Sequence, residues 1–249
     1  MSKTDKHPAL QGRDNLVNYI SKSIDNLTDL TENRSYLVYA GMPIYINDPL
    51  PESVNIGNVL NQLVEMVPFE MLNSVDMVLI GQFDELNQRD LDSMWKDRAI
   101  YLTNEQKSES DMLDDIIHEV AHALEDQYGL EIYADGKIES EFLLKRRHMH
   151  DILIAHGYEV DLTTLLNPAY NKELDEFLYK TVGYEKLNHL LSGLFVSAYG
   201  ATSLREYWAN AFEEFFMPDG NRTTIRTISP ALYTKIEYLT EIEHEERTY

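Results

Sequence analysis

The chain has 249 residues, and its 43 acidic side chains against 21 Lys and Arg give a formal net charge of −22. Hydrophobic residues make up 43% of the chain, which excludes a mostly disordered protein, and the length suits one large domain or two small ones. The acidic excess argues against binding to nucleic acid or anionic membranes, because no basic surplus exists to release phosphate counterions.

The composition also limits the redox chemistry and the compartment that we expect. The chain contains no cysteine, which excludes disulfides, thiolate metal ligands and cysteine nucleophiles. The first twelve residues are polar and lack the apolar segment of a cleavable signal peptide, and no apolar run is long enough to span a membrane. We therefore expect an intracellular, cytoplasmic protein, with release or incorporation into a larger particle left open.

Hydrophobic periodicity predicts mixed helices and strands in the first 105 residues. The predicted helices cover residues 14–30 and 56–67, and Pro68 ends the second of them. Segments rich in Val, Ile and Tyr predict strands at residues 36–46, 75–80 and 98–103, the first interrupted near Gly41.

Beyond residue 105 the pattern is helical. The predicted helices cover residues 110–127, 138–155, 172–180, 184–198, 203–216 and 230–243. Ser203 followed three residues later by Glu206 forms a capping-box signal at the start of one of these helices. We predict a single α+β domain over residues 1–249, with a mixed part at 1–105 and a helical part at 106–249.

The most informative motif is the pentapeptide His-Glu-Val-Ala-His at residues 118–122. On a helix, side chains four residues apart lie on one face about 6 Å apart, so His118 and His122 can bind the same zinc ion. Glu119 is rotated by about 100° from His118, beside the metal, where it can act as a general base toward a water molecule. The alternative is a helix with two ordinary histidines and a solvated glutamate.

A catalytic zinc also needs a third protein ligand, and Glu206 is the best candidate. It opens a helix that is otherwise strongly apolar, so its carboxylate can point inward to a cation. Two alternatives stay open from the sequence. Glu206 can instead complete the capping box with Ser203, and Glu213 and Glu214 are rival ligands two turns further on, in a pair expected to face solvent.

These residues resemble a known family. The HExxH helix, followed by Tyr199 seven residues before Glu206 in an aromatic-rich helix, is similar to the zinc peptidases related to the anthrax lethal factor catalytic domain, including the proline-proline endopeptidases. The resemblance covers about a fifth of the chain. It implies a zincin-like fold, zinc bound by His118, His122 and Glu206, and an oxyanion-stabilising role for Tyr199. It also implies that the strand at 98–103 is an edge strand that pairs with an extended substrate. The chain departs from small members of the family in the longer stretch between His122 and Tyr199, where a helical insertion is expected at residues 138–188.

We therefore expect a zinc-dependent endopeptidase that acts on a peptide or protein substrate, with Glu119 as general base. The alternative from another class is a zincin-fold structural or interaction subunit of a larger assembly, which binds metal but lacks general proteolytic activity. A self-processing or very narrow peptidase is a third possibility. The sequence does not determine the oligomeric state.

Two further features of the sequence lie near the proposed ligands or carry positive charge. Glu125 and Asp126 follow on the HExxH helix and are candidates to orient the histidine rings, although an ordinary surface role is favoured for both. A basic patch is expected to form a solvated face or internal salt bridges, and it consists of Lys145, Arg146, Arg147, His148, His150 and His156. His148 and His150 point to different faces of a helix, so a shared ion is not expected.

Overall fold

The computed structural model describes residues 35–39, 41–89 and 91–245. The helix predicted at residues 14–30 lies outside the described residues. None of the described helices is both long enough and apolar enough to cross a bilayer.

The chain divides into two compact units, Met1–Ile116 and Ile117–Tyr249. In the described residues the first unit contains a five-stranded sheet, whereas the second is formed by helices. The predicted α+β class and the predicted placement of the strands in the N-terminal half are therefore confirmed. The prediction that the whole chain is one domain stays a prediction.

One mixed sheet contains every strand of the described part of the chain. The strands are β1 (Ser35–Tyr39), β2 (Met42–Ile46), β3 (Met77–Ile80), β4 (Ser93–Lys96) and β5 (Ala99–Leu102). Their order is β1-β2-β3-β5-β4, in which β2, β3 and β5 run parallel while β1 and β4 are antiparallel to their neighbours. The central strand β3 buries Val78 and Ile80, as expected for a strand between two others.

The strand predicted at residues 36–46 is a hairpin. Tyr39 of β1 pairs with Met42 of β2, and the chain reverses at Gly41, whose φ of 84° lies in the left-handed region that favours glycine. The interruption predicted near Gly41 is therefore the turn between two antiparallel strands.

The predicted edge position of the strand at 98–103 is wrong. β5 lies between β3 and β4, so β4 is the outer strand on that side among the described residues. The reversal between β4 and β5 occurs at Asp97 and Arg98, whose φ values of 51° and 62° are both positive. Two-residue hairpin turns of this kind usually carry Asn-Gly or Asp-Gly, so the sequence lacks the usual signal for this hairpin.

Three helices of the first unit are α1 (Ile56–Met66), α2 (Phe69–Leu72) and α3 (Asp84–Arg89). The prediction for α1 is confirmed. The Asn55 side chain accepts hydrogen bonds from the backbone N–H groups of Gly57 and Asn58, and the helix ends at Val67 before Pro68. The long helix α4 (Glu109–Tyr133) begins in the first unit and ends in the second, with a non-helical backbone conformation at Tyr128.

The remaining helices belong to the second unit. They are α5 (Lys137–Ala155), α6 (Leu162–Leu165), α7 (Lys172–Glu176), α8 (Tyr184–Leu190), α9 (Leu204–Phe216), α10 (Arg222–Ile228) and α11 (Pro230–Glu245). A π-helix, Phe177–Val182, follows α7 directly, and a short 3₁₀ turn, Tyr199–Ala201, precedes α9. The helix predicted at 184–198 is shorter and ends at Leu190. The backbone has left the helical conformation by Gly193, which has a φ of 77°.

Helix α5 contributes to the core of the second unit rather than forming a peripheral addition. Phe142, Met149 and Leu153 are fully buried, and the Phe142 ring packs against Tyr207 of α9 with 5.2 Å between the ring centroids. Lys145 and Arg146 are also buried, which contradicts the expected solvated face for these two cations. Their hydrogen-bond acceptors are a hydroxyl and backbone carbonyls rather than carboxylates.

Candidate metal centre

The two histidines lie side by side on α4. Leu113, Ile116, Ile117, Val120 and Leu124 are fully buried, as the hydrophobic periodicity predicts, and they hold one side of the helix in the protein interior. His118 and His122 lie one turn apart on another side, and their ring centroids are 5.1 Å apart. The HExxH motif is therefore helical and its two imidazoles are neighbours.

Glu206 lies in the first turn of α9, and its carboxylate contacts both histidines. Its Oε2 atom is 3.1 Å from Nε2 of His118, and its Oε1 atom is 3.7 Å from Nε2 of His122. The capping interaction is also present, since the backbone N–H of Glu206 donates to the Ser203 hydroxyl over 3.1 Å. The two alternatives considered for Glu206 are thus compatible, because the cap uses its backbone whereas its carboxylate faces the imidazoles.

The three side chains form a donor set suited to a metal ion. One ligand atom from each of His118, His122 and Glu206 lies within 4.8 Å of the others, and this is the one such group in the described residues. Tetrahedral zinc with bonds of about 2.1 Å separates its ligand atoms by roughly 3.4 Å, so small side-chain rotations would bring these atoms to bonding distance. Two imidazole nitrogens and one carboxylate are a donor set that catalytic zinc sites use. In such sites the fourth coordination position is left for water or substrate.

The outward nitrogen of each ring faces a second carboxylate. Nδ1 of His118 is 3.0 Å from Oε2 of Glu213, and Nδ1 of His122 is 3.4 Å from Oε2 of Glu125. A carboxylate anion accepts hydrogen bonds only, so these contacts place a hydrogen on each Nδ1 atom. They direct both Nε2 atoms toward Glu206, which is the arrangement that orients histidines as metal ligands.

Glu125 is held in place by two further donors. Nε of Arg205 donates to its Oε2 atom over 2.6 Å, and the Tyr133 hydroxyl donates to its Oε1 atom over 2.8 Å. Burial acts to raise the pKa of Glu125, but the hydrogen bond with His122 and the charge of Arg205 outweigh it and lower that pKa. Glu125 is therefore an ionised partner of His122 at neutral pH.

The carboxylates around the two histidines favour the charged form of the imidazoles. Burial acts to lower the pKa of His118, but hydrogen bonds with Glu206 and Glu213 outweigh it and raise that pKa well above the ordinary value. The pKa of His122 is raised in the same way by Glu125 and Glu206. The pKa of Glu206 is lowered, because its contacts with both histidines outweigh its burial. A divalent cation at this position would replace the positive charge of the protons.

Glu119 and Tyr199 lie in the same region. Glu119 is buried, at 4% exposure, and it is adjacent to His118 in the chain. The Tyr199 ring lies 6.3 Å from the His118 ring, centroid to centroid. Burial and the nearby Glu206 carboxylate raise the pKa of Tyr199, so its hydroxyl keeps its proton and can donate a hydrogen bond.

The structure thus brings together the ligand candidates and Tyr199, and it changes two assignments made from the sequence. Glu213 was expected to face solvent and instead contacts His118, and Glu125 was expected to be an ordinary surface residue and instead contacts His122. Asp126 is exposed and lies 3.8 Å from Arg205. The roles of Arg205 and Tyr133 were missed, since nothing in their local sequence indicates a contact with Glu125.

The comparisons with known proteins add nothing to this geometry. No protein-family model, curated protein or solved structure matches the chain.

Proposed function

We propose that this protein is a zinc-dependent endopeptidase with a zincin-like active site. The observation that carries the proposal is the convergence of His118, His122 and Glu206, whose ligand atoms lie within 4.8 Å of one another. The carboxylates of Glu213 and Glu125 behind the imidazoles support it, because an ordinary pair of surface histidines has no need of such oriented partners.

In the proposed reaction, different residues bind the metal, transfer the proton and stabilise the oxyanion. His118, His122 and Glu206 would hold Zn²⁺, which when bound lowers the pKa of water and polarises the carbonyl of the scissile peptide bond. The Glu119 carboxylate accepts a proton from the attacking water. It then delivers that proton to the nitrogen of the leaving amine. The Tyr199 hydroxyl donates a hydrogen bond to the oxyanion that develops on the carbonyl oxygen.

The burial of Glu119 supports its role as the base. A carboxylate in a poorly hydrated position has fewer competing water molecules, and proton transfer of this kind contributes about 10²–10⁴-fold to a rate. Tyr199 keeps its proton because its pKa is raised, so it acts as a donor rather than as a second base. The acid–base role and the oxyanion role therefore fall to different residues.

Metal analysis together with cleavage of a diverse peptide library tests the proposal. We expect one zinc per chain in protein purified without chelators, and loss of zinc in His118→Ala, His122→Ala and Glu206→Ala. Glu119→Gln is the matched variant beside the ligands, and it should retain zinc while turnover falls at least 10²-fold.

Each result has a defined meaning. Wild-type protein that binds no zinc would contradict the proposal, and the histidines and glutamates would then form an ion-pair network. Full turnover by Glu119→Gln would remove that residue as the base. Zinc bound without cleavage of any library peptide would favour the structural or interaction subunit.

A further inference from the structure

Arg146 on α5 is a fully buried cation, and its guanidinium donates hydrogen bonds to four backbone carbonyl oxygens. Nε donates to Ala201 over 2.9 Å, and Nη1 donates to Leu165 over 3.0 Å and to Asn167 over 2.8 Å. Nη2 donates to the carbonyl of Thr202. The guanidinium therefore joins two separate segments of backbone.

The first of these segments leads directly into the proposed ligand helix. Ala201 ends the 3₁₀ turn that begins at Tyr199, and Thr202 immediately precedes Ser203, the N-cap of α9. The same turn is closed by Thr202, whose backbone N–H and hydroxyl donate to the Tyr199 carbonyl over 2.9 and 2.7 Å. Arg146 thus forms hydrogen bonds with the backbone between Tyr199 and Glu206.

The second segment supports the same helix end. Arg146 binds the carbonyls of Leu165 and Asn167, and the carbonyl of the next residue, Pro168, accepts the backbone N–H of Leu204 over 2.8 Å. Leu204 is the first residue of α9. The loop held by Arg146 therefore satisfies one of the free N–H groups at the start of the helix that carries Glu206.

The burial of this charge has an energetic cost. Burial lowers the pKa of Arg146 to about 10, and the cation–π contact with Phe142, at 4.6 Å from the ring centroid, offsets only part of the lost hydration. Arginine presents several N–H donors in a rigid planar fork, and lysine cannot reproduce that geometry. A residue of this kind is suited to fixing several carbonyls relative to one another.

We propose that Arg146 is a positioning residue, which sets the separation and orientation of Tyr199 and Glu206 without touching metal or substrate. The proposal rests on the proposed zinc peptidase function. Loosening the turn at 199–202 would displace the Glu206 carboxylate from the two imidazoles and the Tyr199 hydroxyl from the oxyanion, so it weakens zinc binding and the chemical step together.

The test compares Arg146→Lys and Arg146→Met with Lys145→Met. Lys145 is the matched control, because it is the adjacent buried cation of α5 but donates to Ser229, at the start of α11, and lies over the Tyr207 ring rather than at the 199–202 turn. Zinc affinity is measured by competition with a chromophoric chelator, and kcat and KM are measured on one cleaved peptide. We expect both Arg146 variants to lose about 10–100-fold in zinc affinity, as when the partners of metal ligands are removed. We also expect kcat to fall at least tenfold at saturating zinc with KM changed less than threefold, while Lys145→Met stays near wild type.

The outcomes separate this inference from the proposed function. If wild type and Lys145→Met bind no zinc, the proposed function fails. If they bind zinc and cleave peptide, and folded Arg146 variants do so equally well, Arg146 has only a structural role and the inference is overturned. Should both Arg146 variants fail to fold, Thr202→Val decides, because it removes the hydroxyl, which is one of the two donors that close the same turn. Unchanged zinc affinity and kcat in Thr202→Val would then contradict the inference, and a fall in both would support it.

Discussion

His118 and Glu213 are 95 residues apart in the chain, yet Nδ1 of the imidazole lies 3.0 Å from Oε2 of the carboxylate. Glu213 lies two turns beyond Glu206 on α9, so one helix presents one carboxylate to each nitrogen of the same ring. This contact fixes which nitrogen of His118 is free to bind a metal.

We expect Glu213→Ala to weaken zinc binding by about 10–100-fold, because the His118 ring loses the acceptor that holds its orientation. Chelator competition measures the effect. Glu214→Ala is the matched control, since the Glu214 carboxylate accepts the backbone N–H of Asn221 over 2.7 Å. Equal zinc affinities for the two variants would show that the contact between His118 and Glu213 does not contribute to metal binding.

Trp208 connects the two helices of the metal centre. It is fully buried, and its indole Nε1 donates to the carbonyl of Ala121 over 2.9 Å, next to His122. We expect Trp208→Phe to lower the free energy of unfolding by roughly 2–3 kcal/mol, from the lost hydrogen bond and the cavity left by the smaller ring. Urea denaturation measures this change, and Phe212→Leu on the same helix controls for lost apolar volume alone. Stability within about 0.5 kcal/mol of wild type would contradict the prediction.

Lys145 predicts an unusual dependence of stability on alkaline pH. Burial lowers its pKa to about 8, although the charge of Glu141 acts in the opposite direction. Between about pH 8 and the ordinary lysine value of 10.5, the unfolded chain binds more protons at this site than the folded protein. The contribution of Lys145 to the free energy of unfolding therefore becomes more favourable as the pH rises through this window.

Urea denaturation of wild type and Lys145→Met at pH 7.5 and pH 10 measures that contribution. The variant should lack the alkaline gain, so its stability relative to wild type should fall by roughly 2–3 kcal/mol between these two pH values. The difference between the two proteins removes the titration of groups that they share. A constant difference at both pH values would show that Lys145 titrates normally in the folded state.

Local patterns allowed much of the fold to be predicted. The apolar spacing of Leu113, Ile117 and Leu124 predicts the buried side of α4, and Asn55 and Ser203 satisfy backbone donors at the starts of α1 and α9. The β4–β5 hairpin was missed, because Asp97 and Arg98 adopt positive φ values without the glycine that usually signals such a turn.

In the candidate site, too, local sequence patterns predict some contacts and miss others. The pairing of His118 with His122 follows from four-residue spacing on a helix, so the sequence alone predicts it. Other contacts join residues that are far apart in the chain. They are the contacts of His118 with Glu206 and Glu213, and the hydrogen bonds from Arg146 to two loops. Helical periodicity defines which side chains share a face, but only the packing of α5 and α9 in the second unit decides which distant groups those faces meet.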